Sequence, residues 1–181
     1  AQTAGFNSTF VVLSSNGGPN TYYDLQAATG NPDFDGTNLG SFNALNSLSL
    51  KGAEHNVYKC GGCDLTSTRL YYRVYLVGST PGSFSNLNIG YSSGSTNGCG
   101  GEDQQWANTG FSTNLLTGLS AGNYTVEVYS DATVTCEGGT VFAGNLGANY
   151  KANFTFFVCL KGDLTPGNYS IPGCFLTVAS A

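Results

Sequence analysis

The stretch GLSAGNYTVEVYSDA, residues 118–132, contains a tight turn followed by an alternating run, and it decides the fold class. Gly122 supplies the turn, and the alternation after it has the two-residue period of a β-strand. In many β-sandwiches a Tyr at this point bonds back to the turn and forms a tyrosine corner, which predicts such a corner at Tyr124. A similar unit, GDLTPGNYSIPGC at residues 162–174, predicts a second corner at Tyr169. The alternative is that both rings are ordinary core residues where strands begin.

Alternating runs recur along the chain and are separated by Gly, Pro, Asn and Ser, as strands usually are. The predicted strands cover residues 8–14, 48–59, 70–77, 86–91, 124–129, 152–160 and 175–178. Residues 22–29 are predicted to form one helical turn. The pattern predicts an all-β fold, an immunoglobulin-like or jelly-roll-type β-sandwich of antiparallel strands with tyrosine-corner-like turns, stapled by disulfides. Residues 1–157 are predicted to form the main domain, and residues 158–181 a disulfide-linked hairpin or strand packed on it.

Composition excludes several classes of function. Of the 181 residues, only 9% are charged whereas 13% are aromatic, which is the opposite of a disordered chain. The net charge is −5 and the six basic residues are scattered, so neither nucleic acid nor an anionic membrane is an expected partner. No apolar run is long enough to span a bilayer, so no membrane span is predicted.

The six cysteines, an even number, predict an oxidising compartment. The first residues, AQTAG, suit the mature end left by a signal peptidase, so secretion through a signal peptide to the extracellular space or cell surface is predicted. Six cysteines allow fifteen pairings, and the sequence does not choose among them. Proximity favours Cys60–Cys63, Cys99–Cys136 and Cys159–Cys174. The alternatives for the C-x-x-C at 60–63 are a redox pair or half of a zinc site completed by Cys99, Cys136 or His55.

Several predicted strands are apolar on both faces, whereas a sheet with one face in water alternates cleanly. Something is therefore expected to cover the outer side: a loop of this chain, a glycan or another subunit. Glu127, which shares this side, is expected to pair with Arg73 or Lys151. The residues predicted to mediate assembly or binding are Phe10, Val12, Tyr71, Tyr75, Tyr129, Phe157 and Trp106.

The segment NPDFDG, residues 31–36, has oxygen-bearing side chains at its first, third and fifth positions, followed by Gly. This is the front half of a calcium loop, so Asn31, Asp33 and Asp35 are candidate calcium ligands. The acid expected at position twelve is missing, because Phe42 stands there. Ordinary turn chemistry is the alternative interpretation.

No arrangement of residues indicates catalysis. His55 is the sole His, no G-x-S-x-G segment is present, and the spacing of the acids does not require a glycosidase pair. The protein is therefore predicted not to be an enzyme. Trp106 and the eleven tyrosines offer a sugar-stacking platform, although a single Trp is usually a core residue.

A resemblance to known proteins covers most of the chain up to about Phe156. It is carried by seven stretches: RLYYRVYLVGSTPGSFSNLNIGY (69–91), GCGGEDQQW (98–106), NLLTGLSAGNYTVEVYSDATV (114–134), ANYKANFTF (148–156), FVVLSSNGG (10–18), NPDF (31–34) and KGAEHNVYKC (51–60). Together they resemble secreted or cell-surface proteins of Bacteroidota bacteria. The resemblance implies extracellular export and a β-sandwich surface module, and it brings no catalytic residues.

The first functional hypothesis is an extracellular structural or adhesive surface protein, the self-assembling subunit of a cell-surface filament. Its partner would be a second copy of itself, with residues 8–14 as a strand exchanged between subunits. The alternative is a lectin-like module that binds surface glycans with Trp106 and loop tyrosines, with or without calcium.

Overall fold

The computed structural model describes residues 3–158, apart from the side chain of Glu137. These residues form two sheets, and the first sheet contains the N-terminal strand. In spatial order its strands are β2 (Thr21–Asp24), β1 (Thr3–Ser15), β4 (Leu48–Cys60), β8 (Glu102–Asn108) and β7 (Tyr91–Thr96), with β9 (Thr113–Asn114) beside β4. All of these pairs are antiparallel.

The second sheet packs on the first and completes a sandwich. Its spatial order is β3 (Asn38–Asn43), β12 (Tyr150–Phe157), β10 (Gly122–Val134), β5 (Leu65–Leu76) and β6 (Ser85–Ile89), with β11 (Thr140–Ala143) beside β10. Only the pair of β12 with β3 is parallel among the described strands. Two short 3₁₀ turns lie at Glu137–Gly139 and Asn145–Gly147. The predicted all-β sandwich is confirmed.

The core lies between the sheets and follows from the alternation in the strands. On β12 the residues Tyr150, Ala152, Phe154 and Phe156 are buried, whereas the residues between them are exposed. Phe154 stacks on Tyr124 with ring centroids 5.5 Å apart and meets Phe42 edge-on at 6.0 Å. Burial of each such side chain contributes about 1.5–3 kcal/mol, so these positions hold the sheets together.

The tyrosine corner is confirmed at Tyr124. Its hydroxyl donates to the carbonyl oxygen of Ser120 at 2.8 Å, across the turn that leads into β10. The ring itself is buried in the core. The second predicted corner, at Tyr169, lies outside the described residues.

The predicted helical turn at residues 22–29 is wrong. Residues Thr21–Asp24 form β2 instead, and the bend after it is held by Asp24. The Asp24 carboxylate accepts the backbone N–H groups of Gln26 and Thr29 at 2.8 and 2.7 Å. Such side-chain bonds to nearby backbone compete with helix formation. The predicted strand at 175–178 and, apart from Val158, the predicted hairpin of 158–181 lie outside the described residues.

Each of the two described disulfides links segments at the ends of neighbouring strands, one in each sheet. Cys60 is bonded to Cys99, and Cys63 to Cys136. The predicted pairs Cys60–Cys63 and Cys99–Cys136 are therefore wrong, and the predicted pair Cys159–Cys174 lies outside the described residues. All the described cysteines are in disulfides, so 60–63 is neither a free redox pair nor a zinc half-site.

Strand register explains this pairing. The turn at 60–63 passes from β4 in the first sheet to β5 in the second, which separates its two cysteines. Lys59 lies opposite Glu102, and this brings Cys60 to the β7–β8 turn. Leu65 lies opposite Val134, and this brings Cys63 to the end of β10. Each bridge closes a long loop and stabilises the fold by roughly 4 kcal/mol in the chain-entropy account.

One polar contact crosses the core. His55 on β4 is fully buried, its Nε2 lies 3.0 Å from the Ser130 Oγ on β10, and its ring meets Phe6 edge-on. Its Nδ1 has no hydrogen-bond partner among the described residues. Burial lowers the pKa of His55 to about 3, so the imidazole is neutral in the folded protein.

We expect the free energy of unfolding to fall by about 2 kcal/mol between pH 7 and pH 5, because the unfolded chain takes up a proton on His55 below about pH 6.5 and the folded chain does not. The loss continues down to about pH 3, the folded pKa. Urea unfolding at several pH values measures it. His55 is the sole histidine, so His55→Gln should flatten the dependence of the unfolding free energy on pH. An unchanged dependence in this variant would contradict the assignment of the effect to His55.

Candidate functional site

The outer face of the second sheet carries a layer of charged and aromatic side chains. The register of β5 against β10 places Arg73 opposite Glu127, Tyr71 opposite Tyr129, and Arg69 opposite Asp131. These side chains therefore share one face, as period-two alternation requires. We call them, with Tyr75, the outer layer.

At one end of the outer layer, Arg69 holds Asp131 with two parallel bonds. Its Nε donates to Oδ1 at 2.9 Å and its Nη2 to Oδ2 at 2.7 Å. The Tyr71 hydroxyl donates to the same carboxylate at 3.1 Å, and the Tyr71 ring stacks on Tyr129 at 4.4 Å. Asp131 is only 3% exposed, so these donors replace the water molecules that its carboxylate would otherwise bind.

At the other end, Arg73 connects the sheet to the loop that follows β5. Its Nε and Nη2 donate to Oε2 of Glu127 at 3.0 and 2.8 Å, and its Nη1 donates to the carbonyl oxygen of Gly82 at 3.0 Å. The guanidinium lies over the Phe84 ring at 4.1 Å, and Phe84 meets Tyr129 edge-on. A loop of this chain thus covers the outer layer here, which is one of the predicted alternatives. The predicted pairing of Glu127 with Arg73 is confirmed.

The second oxygen of Glu127 reaches the loop between β11 and β12. Its Oε1 accepts a bond from Nδ2 of Asn149 at 2.7 Å. Burial favours a raised pKa for this carboxyl, but hydrogen bonds from Asn149, Arg73 and Tyr75 outweigh burial and lower it. Glu127 therefore stays ionised at neutral pH and holds the loop to the sheet.

We call residues 142–149, which comprise the last two residues of β11 and the loop that follows it, the tip loop. Leu146 is fully exposed, and Phe142 is 65% exposed. Asn145, Leu146 and Asn149 have φ angles of 50°, 55° and 56°, a region that a Leu side chain disfavours by roughly 1–2 kcal/mol. Local bonds hold this shape, because Gly147 and Asn149 both donate their N–H groups to the Gly144 carbonyl at 2.9 Å. Strain of this kind persists where surrounding contacts enforce it and is frequent at functional sites.

Two neighbouring clefts flank the tip loop, and we call them together the double cleft. The first has a volume of about 570 Å³ and is lined by Leu25, Gln26, Ala27, Asp33, Asp35, Phe142, Ala143, Gly144, Asn145, Leu146 and Tyr150. The second has a volume of about 410 Å³ and is lined by Tyr129, Phe142, Gly144, Leu146, Gly147 and Asn149. Phe142 and Leu146 border both clefts, so a ligand in either one meets them.

The far wall of the first cleft is the segment after β2. Ala27 there has a φ of 52°, and Asp24 fixes the bend around it. Asp35 is anchored to β12, because its Oδ1 accepts the backbone N–H of Lys151 at 2.8 Å. The segment after β2 is therefore held from the first sheet through Asp24, and Asp35 is held by β12 of the second sheet.

The candidate calcium ligands separate in the structure. Asp33 and Asp35 line the first cleft, whereas Asn31 lies outside its lining and bonds to the Thr29 hydroxyl through its backbone N–H and its amide. Within residues 3–158, no group of three or more His, Cys, Asp or Glu side chains is arranged to hold a metal ion. Calcium binding stays a prediction that rests on Asp33 and Asp35.

Of the other predicted binding residues, Tyr129 alone lines the double cleft. Trp106 is a core residue, 8% exposed, and its Nε1 donates to Oε1 of Gln104 at 3.0 Å, so it forms no sugar platform. Phe10 and Val12 are buried in β1, and Phe157 is half-buried at the end of β12.

The sequence reasoning missed the tip loop itself. Its signal is present, since FAGNLGAN at 142–149 places Phe and Leu among Gly and Asn residues that favour turns. The position of Phe142 and Leu146 opposite the segment after β2 depends on tertiary structure.

No protein-family model matches this chain, and comparisons with curated proteins and with solved structures returned no match. The resemblance to secreted Bacteroidota proteins therefore stays a prediction. No helix in the described part of the chain is long and apolar enough to cross a membrane. The functional interpretation rests on the geometry of the double cleft.

We expect Glu127→Ala to lower the free energy of unfolding by about 2 kcal/mol, because it leaves Arg73 without its partner and frees Asn149. Amide hydrogen exchange in the tip loop should accelerate in the same variant. The matched control is Glu102→Ala, which removes a 42% exposed side chain that lies 3.6 Å from Lys59. Equal exchange in the tip loop of both variants would show that Glu127 does not hold the loop.

Proposed function

We propose that this protein is an extracellular adhesive module that binds a carbohydrate ligand in the double cleft. The observation that carries the proposal is the tip loop, which presents Phe142 and Leu146 to solvent between two clefts. Exposed apolar side chains that border a concave surface mark interaction sites more often than isolated ones do.

The chemistry of the lining suits a neutral, hydroxyl-rich ligand. A sugar ring has an apolar C–H face, which packs on an aromatic ring such as Phe142, and a rim of hydroxyls. Gln26 and Asn145 provide amide donors and acceptors for that rim, and Asp33 provides acceptors. The two volumes lie within the range of small-ligand pockets.

The extracellular part of the proposal is supported by the two disulfides. Such bonds form and persist in oxidising environments, which include the cell exterior. The signal peptide and the export route stay predictions, as does the absence of enzymatic activity.

Filament assembly by strand exchange has weaker support. The predicted donor, residues 8–14, belongs to β1, which lies between β2 and β4 and is hydrogen-bonded to both. Exchange of β1 would require both ladders to break in every subunit. Val11 and Val12, fully buried in this strand, would leave their own core in the same step.

A glycan array followed by calorimetry on the best ligand tests the carbohydrate proposal. We expect Phe142→Ala to weaken binding by roughly tenfold, equivalent to about 1.4 kcal/mol, because the apolar platform is lost. Leu45→Ala is the matched control, since Leu45 is 87% exposed and lines neither cleft. The affinity of the Leu45→Ala variant for the glycan should equal that of the parent protein.

Two results would contradict the proposal. One is an array on which the folded protein binds no glycan. The other is a bound glycan whose affinity falls equally, or not at all, in Phe142→Ala and Leu45→Ala.

A further inference from the structure

A further cleft lies on the outer face of the second sheet, next to the outer layer. It has a volume of about 440 Å³ and is lined mainly by Asn and Thr side chains from β3, β10 and β12. None of its lining residues is charged. The neighbouring half of the same face, around residues 69–73 and 127–131, is filled by the two ion pairs.

Two pairs of Asn and Thr side chains on β10 and β12 line this cleft. The strand register places Asn123 opposite Thr155, and Thr125 opposite Asn153. The Thr155 hydroxyl donates to Oδ1 of Asn123 at 2.8 Å, and the Thr125 hydroxyl donates to Oδ1 of Asn153 at 2.9 Å. We call these four residues the Asn–Thr ladder. The cross-strand bonds fix both amide groups, so the ladder is organised before a ligand binds.

The Asn–Thr ladder has hydrogen-bond donors to spare. Asn123 and Asn153 are both exposed, and within residues 3–158 the Nδ2 of neither one donates a hydrogen bond. Val77, which is 56% exposed, lines the same cleft. Fixed amide donors beside an apolar side chain complement a sugar ring, which has hydroxyls on its rim and C–H groups on its face.

The outer face of β10 connects the Asn–Thr ladder to the double cleft. Thr125, Glu127 and Tyr129 alternate along this face, and Tyr129 lines the second cleft. Glu127, between the two sites, is bonded to Asn149 of the same cleft. At 3.3 Å per residue the strand rises about 20 Å from Tyr129 to Asn123. A disaccharide is too short to cover this distance.

The lining of the ladder cleft suits a glycan and not a protein partner. Protein interfaces are centred on apolar and aromatic side chains, whereas the side chains of the Asn–Thr ladder are polar. Lys151 is exposed on β12 opposite Glu127, and its ammonium group offers a further donor beside the path.

We propose that the Asn–Thr ladder is a second carbohydrate subsite, and that the ligand is a linear, uncharged polysaccharide that lies along β10 from the double cleft to the ladder. Because this rests on the proposed function, the double cleft holds one part of the chain. The addition concerns the class of glycan: a chain of several rings reaches donors that a disaccharide in the double cleft does not.

Calorimetry with a disaccharide and a hexasaccharide of the glycan selected on the array tests the ladder. The parent protein should bind the hexasaccharide roughly tenfold more tightly, because two amide donors are added. Asn123→Asp/Asn153→Asp keeps the oxygen acceptors of the Thr hydroxyls and removes both donors. It should lose roughly tenfold in affinity for the hexasaccharide and none for the disaccharide.

The matched control is Asn86→Asp/Asn88→Asp on β6. Both residues are exposed, and their register opposite Tyr71 and Arg69 places them on the same face of the sheet. They line neither the ladder cleft nor the double cleft. This variant adds the same charge and should bind both ligands like the parent protein.

The two ligands separate failure of the ladder from failure of the double cleft. Equal affinity of the parent protein for both ligands, or equal losses in the two double variants, would overturn the ladder and leave the double cleft in place. A disaccharide that loses affinity in Asn123→Asp/Asn153→Asp would overturn the extended path. A disaccharide affinity that Phe142→Ala does not change would contradict the double cleft, and the ladder proposal with it.

The intact mass of the protein from its natural source is measured first. Both asparagines of the ladder begin an Asn-x-Thr triplet, at 123–125 and 153–155, which is the acceptor motif for N-linked glycans. We expect the mass of the unmodified chain with its disulfides. A glycan attached to Asn123 or Asn153 would fill the cleft covalently and overturn the proposal.

Discussion

The carboxylate of Glu127 performs two structural tasks at once, and the candidate site depends on both. Through one oxygen it accepts two bonds from Arg73 and fixes β10 to β5, and through the other it accepts the amide of Asn149 and fixes the tip loop. A charge that is nearly excluded from water is stable in the fold only when its donors are in place. The strand pair and the loop are therefore positioned together.

This constraint explains why aromatic rings accompany the charged side chains on the outer side of the second sheet. The rings of Tyr71, Tyr129 and Phe84 surround the ion pairs and lower the exposure of their charges. Charge-assisted hydrogen bonds of good geometry are strong in such surroundings. They offset the unfavourable backbone conformation of Leu146. The result is an exposed apolar tip on a rigid support, which is the arrangement that a preorganised binding surface needs.

The sequence predicted the parts of the fold that are governed by local alternation. Strands β4, β5, β10 and β12 have clear period-two patterns, and Tyr124 and the partner of Glu127 were predicted correctly. Strands β7 and β8 consist mainly of polar and small residues, so neither gives an apolar alternation, and both were missed. The predicted pairs Cys60–Cys63 and Cys99–Cys136 were wrong because proximity in sequence ignores that the turn at 60–63 passes between sheets.

The candidate site was predicted only in fragments. Asp33 and Asp35 were recognised as a ligand pair, but the tip loop across the cleft lies more than a hundred residues further along the chain. Its turn-forming residues do not indicate which distant segment it faces. Trp106, the most conspicuous aromatic residue in the sequence, is buried, whereas Phe142 is exposed. Exposure of this kind is decided by packing between distant segments and is not encoded in composition.

Backbone amide chemical shifts, followed by NMR while an oligosaccharide is titrated to saturation, test the central claim most directly. The account predicts that the perturbed amides cluster in residues 25–35 and in the tip loop, with β7 and the β4–β8 region unchanged at constant protein concentration. Perturbations centred elsewhere on the sandwich, with the tip loop unaffected, would contradict the assignment of the double cleft as the binding site.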